Sequence, residues 1–230
     1  RFFSHTNYPF SWAEFLKCRG EEFSSKYSEN YPRKYKLVGL FDEYLRMGGF
    51  PEVAETGDKN ILSQYYETIV LKDVIAGNNI RNHLDLRQVA YYLISNTAKF
   101  FSYNKIGEHL GIHENTVKEY IDHLKSAYLF DDLKIYSTSV KKQNRNPRKI
   151  YCVDNGLVYA TGFQFSLNSG RYLENLVFNE LKKKHSACFY HNEDRECDFV
   201  VGEKKKSGKI AITEAIQVCY EINSHNKKRE

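Results

Sequence analysis

Two carboxylates in the last third of the chain have the side-chain type that binds a divalent cation. Glu174 lies in the helical pattern RYLENLVFNELKKKH, and Asp198 lies in the strand-like segment ECDFVV. In the next strand-like segment, KIAITEAIQVCYEI, strand alternation puts Gln217 and Cys219 on one face. Mg²⁺ prefers carboxylate oxygens, and a glutamine carbonyl oxygen can join them. Glu174, Asp198 and Gln217 are therefore the candidate catalytic residues, with Glu174 and Asp198 as candidate metal ligands.

These segments follow one another as one helix and three strands, an order in which metal-dependent nucleases gather carboxylates around Mg²⁺ beside a lysine. If Gln217 and Cys219 occupy the positions of the third acid and the lysine, the site keeps two carboxylates and has no cation. We expect Glu174 and Asp198 to approach each other, with little or no DNA cleavage, because charge developing on a phosphate would be poorly stabilised. The alternative is that both are surface or helix-pairing acids.

A possible nucleotide site at residues 202–210, GEKKKSGKI, fails on spacing. A phosphate-binding loop has four residues between its glycines and a Ser or Thr after its lysine. Here five residues intervene, and Ile210 follows the lysine. The segment also leads into a strand, so no helix N-terminus is available to bind phosphates.

The middle of the chain has the pattern of a helix-turn-helix. Ser102 can cap a helix over residues 103–110, and Gly111 supplies the turn to a second helix over residues 114–126. Residues expected to face the core are Ile106, His109, Leu110, Ile112, Val117, Tyr120, Ile121 and Leu124. The opposite face of the second helix is polar, as a helix that reads base edges in a DNA groove requires.

Two strand-like segments, YLFDDLKIYS and KIYCVD, follow the second helix and predict an antiparallel hairpin over residues 129–153. The stretch from 134 to 149 contains six Lys or Arg and no acidic residue, and we expect a loop that exposes these cations to phosphates. The sequence thus predicts a winged helix. Its candidate DNA-binding residues are Asn115, Lys118, His123, Lys125, Lys141, Lys142, Arg145, Arg148 and Lys149. The alternative is a packing module, because Glu119 and Asp122 on the same face would repel phosphate.

Helical patterns precede this unit at 12–18 and 37–47, the latter ending at Gly48-Gly49, then from Asn60 to Gly77 and again after Asp85. We predict an α+β fold with three parts: a linker at 1–36, a helical region with the winged helix at 37–162, and an α/β nuclease-like domain at 163–230. The last part is expected to be truncated, since it lacks a closing helix and strand.

Composition excludes several classes of protein. The chain has 230 residues, of which 41% are hydrophobic, and a net charge of +5. Its five cysteines are odd in number and form no C-x-x-C pair, so neither a disulfide framework nor a zinc site is predicted. Since no apolar run approaches the roughly 18 to 20 residues of a membrane span, we expect a cytoplasmic protein without membrane contact.

Several motifs, taken in order, resemble a known family. They are PFSWAEFL at 9–16, LRMGGFPEV at 45–53, TVKEYIDHLKSAYLF in the helix-turn-helix, and YLENLVFNELKKK with ECDFVV and AIQVCYEI. This order is similar to the C-terminal part of prokaryotic, archaeal-type AAA+ ATPases, in which a nucleotide-binding domain precedes a winged helix and a PD-(D/E)XK nuclease-like domain. The family's D…E-x-K pattern maps onto Asp198, Gln217 and Cys219, with the last two changed.

The resemblance implies a DNA-binding fragment whose nuclease-like domain is inactive and whose partners are DNA and the upstream ATPase domain of the same protein. ATP would bind only in that upstream domain, and Mg²⁺ would be the cofactor of the nuclease-like site if it were active. Two alternatives stay open. One is a Mg²⁺-dependent, structure-specific DNA nuclease, and the other is a protein-interaction module for the parent ATPase.

Overall fold

The computed structural model describes residues 6–22, 31–162, 169–192, 196–205 and 210–221. Helices dominate up to residue 95: α1 (Trp12–Cys18), α2 (Tyr31–Met47), α3 (Pro51–Thr56), α4 (Asn60–Thr68), a π-helix (Ile69–Ala76) and α5 (His83–Ser95). The elements that follow are β1 (Lys99–Phe101), α6 (Tyr103–Leu110), α7 (Glu114–Ser126), β2 (Phe130–Leu133), α8 (Val140–Arg145), β3 (Arg148–Cys152), α9 (Asn155–Thr161), α10 (Ser169–Lys184), β4 (Ala187–Asn192), β5 (Glu196–Lys204) and β6 (Ile210–Ile216). The expected α+β class is confirmed.

The first helices follow their sequence signals, although α3 was not predicted and α5 begins at His83, before Asp85. Ser11 and Glu14 form a capping box at the start of α1. Helix α2 begins at Tyr31, six residues before the predicted start, because the polar residues 32–36 extend it into solvent without apolar spacing. The helix from Asn60 is confirmed, but its second half winds as a π-helix. Every helix in the described ranges is too short or too polar to cross a membrane.

The larger core lies among α4, α5, α7 and α9. The stripe of α5 predicted from spacing, Leu86, Val89, Ala90, Leu93 and Ile94, is completely buried. In α7 the predicted inner residues, Val117, Tyr120, Ile121 and Leu124, are buried in the same core. Each large side chain removed from water in this way stabilises the fold by about 1.5 to 3 kcal/mol.

The two predicted helices joined at Gly111 are confirmed. Ser102 caps α6, and Gly111 ends it in the left-handed conformation with φ of +70°. A side chain at Gly107 would meet the Ile112 carbonyl oxygen at 2.5 Å, so this glycine lets α6 pack tightly on the turn. The expectation that His109 faces the core is wrong: Ile106 and Gly107 take the inner face, and the exposed His109 ring lies 5.7 Å from Tyr92.

The predicted hairpin is confirmed as well. Strand β2 pairs antiparallel with β3, with Phe130 opposite Cys152 and Leu133 opposite Lys149. Strand β1 pairs with the other side of β3, which gives the order β1-β3-β2. The connection between β2 and β3 contains a short helix, α8, where the sequence predicted a loop.

A second antiparallel sheet, β4-β5-β6, packs against α10. The three predicted strands are confirmed, although β6 ends at Ile216, so Gln217 and Cys219 follow the strand. Two backbone hydrogen bonds, Tyr136 N to Tyr190 O at 2.7 Å and Tyr190 N to Lys134 O at 3.0 Å, connect the sheets. A smaller core crosses the same junction, where the Tyr151 and Phe178 rings stack at 4.0 Å. The domain boundaries at 36 and 162 stay predictions.

A buried aspartate and the backbone of Phe10 explain the two glycines of LRMGGFPEV, because a Cβ at Gly48 would meet Asp154 and one at Gly49 would lie 2.2 Å from Phe10 O. Asp154 Oδ2 accepts a hydrogen bond from Gly49 N at 2.7 Å, and Oδ1 accepts one from Gly156 N at 2.7 Å. Gly48 has φ of +74°, and a Cβ there would lie 1.7 Å from Asp154 Oδ1. The motif therefore connects the end of α2 to the start of α9.

Asp154 makes stability depend on pH. Burial raises its pKa from 3.8 to about 6, although the N–H groups of Gly49 and Gly156 oppose the shift. Between these values the folded state holds a proton that the unfolded state has released, so this stabilisation is full below pH 3.8 and is lost as pH rises through 6.

We therefore expect wild type to lose about 2 to 3 kcal/mol of unfolding free energy relative to Asp154→Asn, measured with urea, between about pH 4 and pH 7. The Asn variant cannot titrate at this position, whereas all other titratable groups are the same in both proteins. The pH dependence of the variant is therefore the reference for those other groups. A difference that does not change with pH would contradict the assignment.

Candidate functional site at the acidic cleft

The acidic site forms where α10 crosses β3 and β5. Asn175 fixes α10 on β3, since its Nδ2 donates to Cys152 O at 3.0 Å and its Oδ1 accepts from Cys152 N at 2.9 Å. This contact puts the preceding residue, Glu174, beside the strand. Asp198, near the start of β5, is buried and faces the same side.

A lysine lies between the two acids. Lys149 Nζ is 3.1 Å from Glu174 Oε1, 2.9 Å from Asp198 Oδ1 and 3.9 Å from Glu196 Oε1, and its side chain is 5% exposed. The expected approach of Glu174 and Asp198 is confirmed, since both contact one ammonium. Two expectations are wrong: Lys149 is not an exposed cation of the wing, and the site does not lack a lysine.

Strand alternation explains why Lys149 points inward. Lys149 and Tyr151 are two residues apart on β3 and share the face that meets α10. Tyr151 is completely buried, and its hydroxyl donates to Glu174 Oε1 at 2.8 Å. The sequence R-K-I-Y-C could have given this position, since an inward tyrosine requires an inward lysine two residues before it.

The side-chain oxygen of the third candidate, Gln217, is already used in a hydrogen bond to the backbone of Asp198. Its Oε1 accepts from Asp198 N at 3.3 Å, and Val218 N donates to Asp198 Oδ2 at 3.0 Å. Cys219 Sγ contacts the backbone oxygen of Glu221 at 2.9 Å. Gln217 and Val218, which follow β6, thus hold Asp198 in position through one hydrogen bond to its backbone N–H and one to its carboxylate.

The pKa values of Lys149 and Glu174 are shifted by burial and by the charges that these side chains and Asp198 exert on one another. Burial lowers the pKa of Lys149, but the carboxylates of Glu174 and Asp198 outweigh it and leave the pKa raised. Burial, helped by the charge of Asp198, raises the pKa of Glu174 against the opposing effect of Lys149. Lys149 is therefore an ammonium at neutral pH, and Glu174 stays paired with it.

The acids line an open cleft of about 570 Å³. Lys99, Phe100 and Arg171 line the same cleft. Partial burial lowers the pKa of Lys99, and the positive charge of Arg171 adds to this effect. The cleft therefore contains two further cations besides Lys149, which already contacts the acids.

The comparisons with known proteins identify a family. The profile of a domain of unknown function, DUF8612, matches residues 38–167, more than half of the chain. The chain belongs to the DUF8612 family. The match includes Lys149 and Tyr151 but ends before Glu174 and Asp198, so the acidic site combines the family segment with the unit that follows it.

Two relatives align over almost the whole chain. The uncharacterized protein MJ1544 of Methanocaldococcus jannaschii is 32% identical over 237 residues, covering 96% of this chain and 51% of the relative. An uncharacterized protein of Haemophilus influenzae is 28% identical over 229 residues, covering 95% of this chain and 54% of the relative. The chain thus spans about half the length of these relatives. No solved structure matches it.

Within the DUF8612 segment, the predicted DNA-binding residues fall into two groups. Five are exposed: Asn115, Lys118, Lys141, Lys142 and Arg145. Of these, Lys118, Lys141 and Arg145 have no ion-pair partner among the residues that the structure describes. Among the predicted DNA-binding residues, three of the four exposed cations therefore lie on α8.

The remaining candidates contact acids of the protein itself. Arg148 Nη1 lies 2.9 Å from Asp132 Oδ2, and Lys125 also pairs with Asp132. His123 Nε2 is 3.6 Å from Glu119 Oε1. The expectation that the wing exposes all its cations is wrong for Arg148 and Lys149, because both lie on β3 and not in the connection.

Proposed function

We propose that this chain is the DNA-binding part of a longer DUF8612 protein, with α6, α7 and the β2–β3 hairpin acting as a winged helix. The observation that carries the proposal is α8, which exposes Lys141, Lys142 and Arg145 in a connection without acidic residues. Cations placed in this way can neutralise phosphates of a duplex. The helix-turn-helix and the order β1-β3-β2 support the same assignment.

The distribution of charged side chains favours α8, in the connection between β2 and β3, over α7 as the main contact with DNA. Glu114, Glu119 and Asp122 are exposed on α7 beside Lys118, so this face has a negative balance. Phosphate contacts give affinity without sequence information, whereas specificity needs side chains at base edges. We therefore propose DNA binding with little sequence preference.

We further propose that the unit of α10 and β4-β5-β6 is a PD-(D/E)XK-like domain without nuclease activity, and that ATP binds in an AAA+ domain elsewhere in the whole protein. The greater length of the relatives is compatible with such a domain. A second candidate is a Mg²⁺-dependent nuclease, because a lysine lies beside two carboxylates, and this activity would require the metal ion to displace the lysine from them. Cleavage that requires Mg²⁺ and disappears in Asp198→Ala would identify that activity.

DNA binding is tested by titrating the chain with two labelled duplexes of equal length and unrelated sequence at several salt concentrations. We expect similar affinities and a slope of log affinity against log salt of about −3, since three cations of α8 would release counterions. Absence of binding at low salt would favour the protein-interaction alternative. A strong preference for one duplex would contradict a contact made mainly by the wing.

A further inference from the structure

We propose that the ammonium of Lys149 takes the place of a divalent cation, so that this nuclease-like site is held together by a cation from the chain itself. The resemblance to PD-(D/E)XK domains implies Mg²⁺ between Glu174 and Asp198, and the residues present do not fit that ion. Among the described residues, no group of three or more His, Cys, Asp and Glu side chains is arranged to hold a metal.

Three of the four carboxylate oxygens of Glu174 and Asp198 already accept hydrogen bonds from described residues. Glu174 Oε1 accepts from both Lys149 Nζ and Tyr151 Oη, at 3.1 and 2.8 Å. Asp198 uses Oδ1 for Lys149 at 2.9 Å and Oδ2 for Val218 N at 3.0 Å. An ammonium offers only donors and a metal ion needs only acceptors, so the two compete for the same oxygens.

The position of Lys149 in the fold makes displacement costly. Its side chain is 5% exposed and lies with Nζ 5.2 Å from the centre of the Phe100 ring. A metal ion entering between the acids would push a buried ammonium away from both carboxylates without offering it another acid. Glu196, at 3.9 Å, is the only further carboxylate near Nζ in the described residues, and it is half exposed.

This arrangement has a structural consequence for the wing. Lys149 is on β3, the strand that returns from α8, whereas Glu174 and Asp198 lie on α10 and β5. The contact of Lys149 with Glu174 and Asp198, which excludes a metal, therefore also holds β3 of the hairpin against α10 and β5. Arg148, the preceding residue, holds β3 to Asp132 on β2.

The test measures Mn²⁺ binding by the loss of the electron paramagnetic resonance signal of the free ion, with no DNA present. Wild type should leave the signal unchanged, and Lys149→Ala should bind one Mn²⁺ at least about tenfold more tightly than wild type. The matched control Lys149→Ala/Asp198→Asn should lose that binding. Mn²⁺ bound by wild type as tightly as by Lys149→Ala, or none bound by the folded variant, would overturn the proposal.

If Lys149→Ala does not fold, a measurement that keeps Lys149 in place decides the question. With ¹⁵N-labelled lysine, the Lys149 ammonium should give a slowly exchanging NMR signal that is unchanged by Mg²⁺ and altered in Asp198→Asn. A signal displaced by Mg²⁺ would overturn the proposal. Since neither measurement uses DNA, failure here is distinguishable from failure of the proposed DNA binding.

Discussion

Replacing Lys141, Lys142 and Arg145 together by glutamate is expected to weaken duplex binding on the order of 100-fold at low salt. Each of these side chains is exposed on α8, and Lys141 and Arg145 have no ion pair with another described residue. The loss should be similar on unrelated duplexes, because phosphates carry no sequence information. The slope of log affinity against log salt should become shallower by about 2 to 3.

A control with the same change in net charge separates position from charge. Lys17, Lys72 and Lys184 are exposed on α1, the π-helix and α10, outside the elements proposed to contact DNA. Their triple replacement by glutamate alters the overall field equally but removes no proposed contact. Equal losses in the two triple variants would show that net charge alone drives binding, and unchanged binding in the α8 variant would remove the wing from the interface.

A single charge reversal, Lys118→Glu, tests whether α8 or α7 contributes more to DNA affinity. Lys118 is exposed on α7 among Glu114, Glu119 and Asp122, which already oppose a phosphate. We expect this variant to lose less affinity than a single reversal of Lys141. A larger loss at Lys118 would mean that α7 enters the groove despite its acids.

The parts of this fold that the sequence predicts are those with a local cause. Ser102 and Gly111 set the ends of α6 through a cap and a left-handed turn, and both follow from residue type. The stripe of α5 follows from the spacing of its apolar residues. Strand composition likewise predicts β2, β3 and the three strands after α10.

What the sequence did not predict depends on contacts between distant segments. The run of cations that Lys149 ends predicts an exposed side chain, yet Lys149 contacts Glu174 on α10, a helix that begins 20 residues later. Strand alternation predicts Gln217 and Cys219 on a strand, yet β6 ends at Ile216, since the end of pairing with β5 leaves no signal in residue type. Alternation with Tyr151 indicates that Lys149 points inward, but only the tertiary structure shows which acids it meets.

The second large effect concerns stability. Lys149→Met is expected to lower the free energy of unfolding by about 3 to 5 kcal/mol, because methionine keeps an unbranched apolar stem but leaves the carboxylates of Glu174 and Asp198 without their ammonium. Lys204→Met, an exposed site on β5, is the control and should change stability by less than about 0.5 kcal/mol. Urea denaturation measures both.

The cause of that loss can be separated from poor packing by neutralising the acids. If the unpaired charges are responsible, adding Glu174→Gln and Asp198→Asn to Lys149→Met should restore much of the lost stability, because neutral amides cost less to bury than two carboxylates. Each amide variant alone, in the presence of Lys149, should be destabilising, since it leaves the buried ammonium with one acid fewer. A triple variant no more stable than Lys149→Met would mean that the methionine fails to pack, and that the contact between Lys149 and the two acids contributes little to holding β3 against α10 and β5.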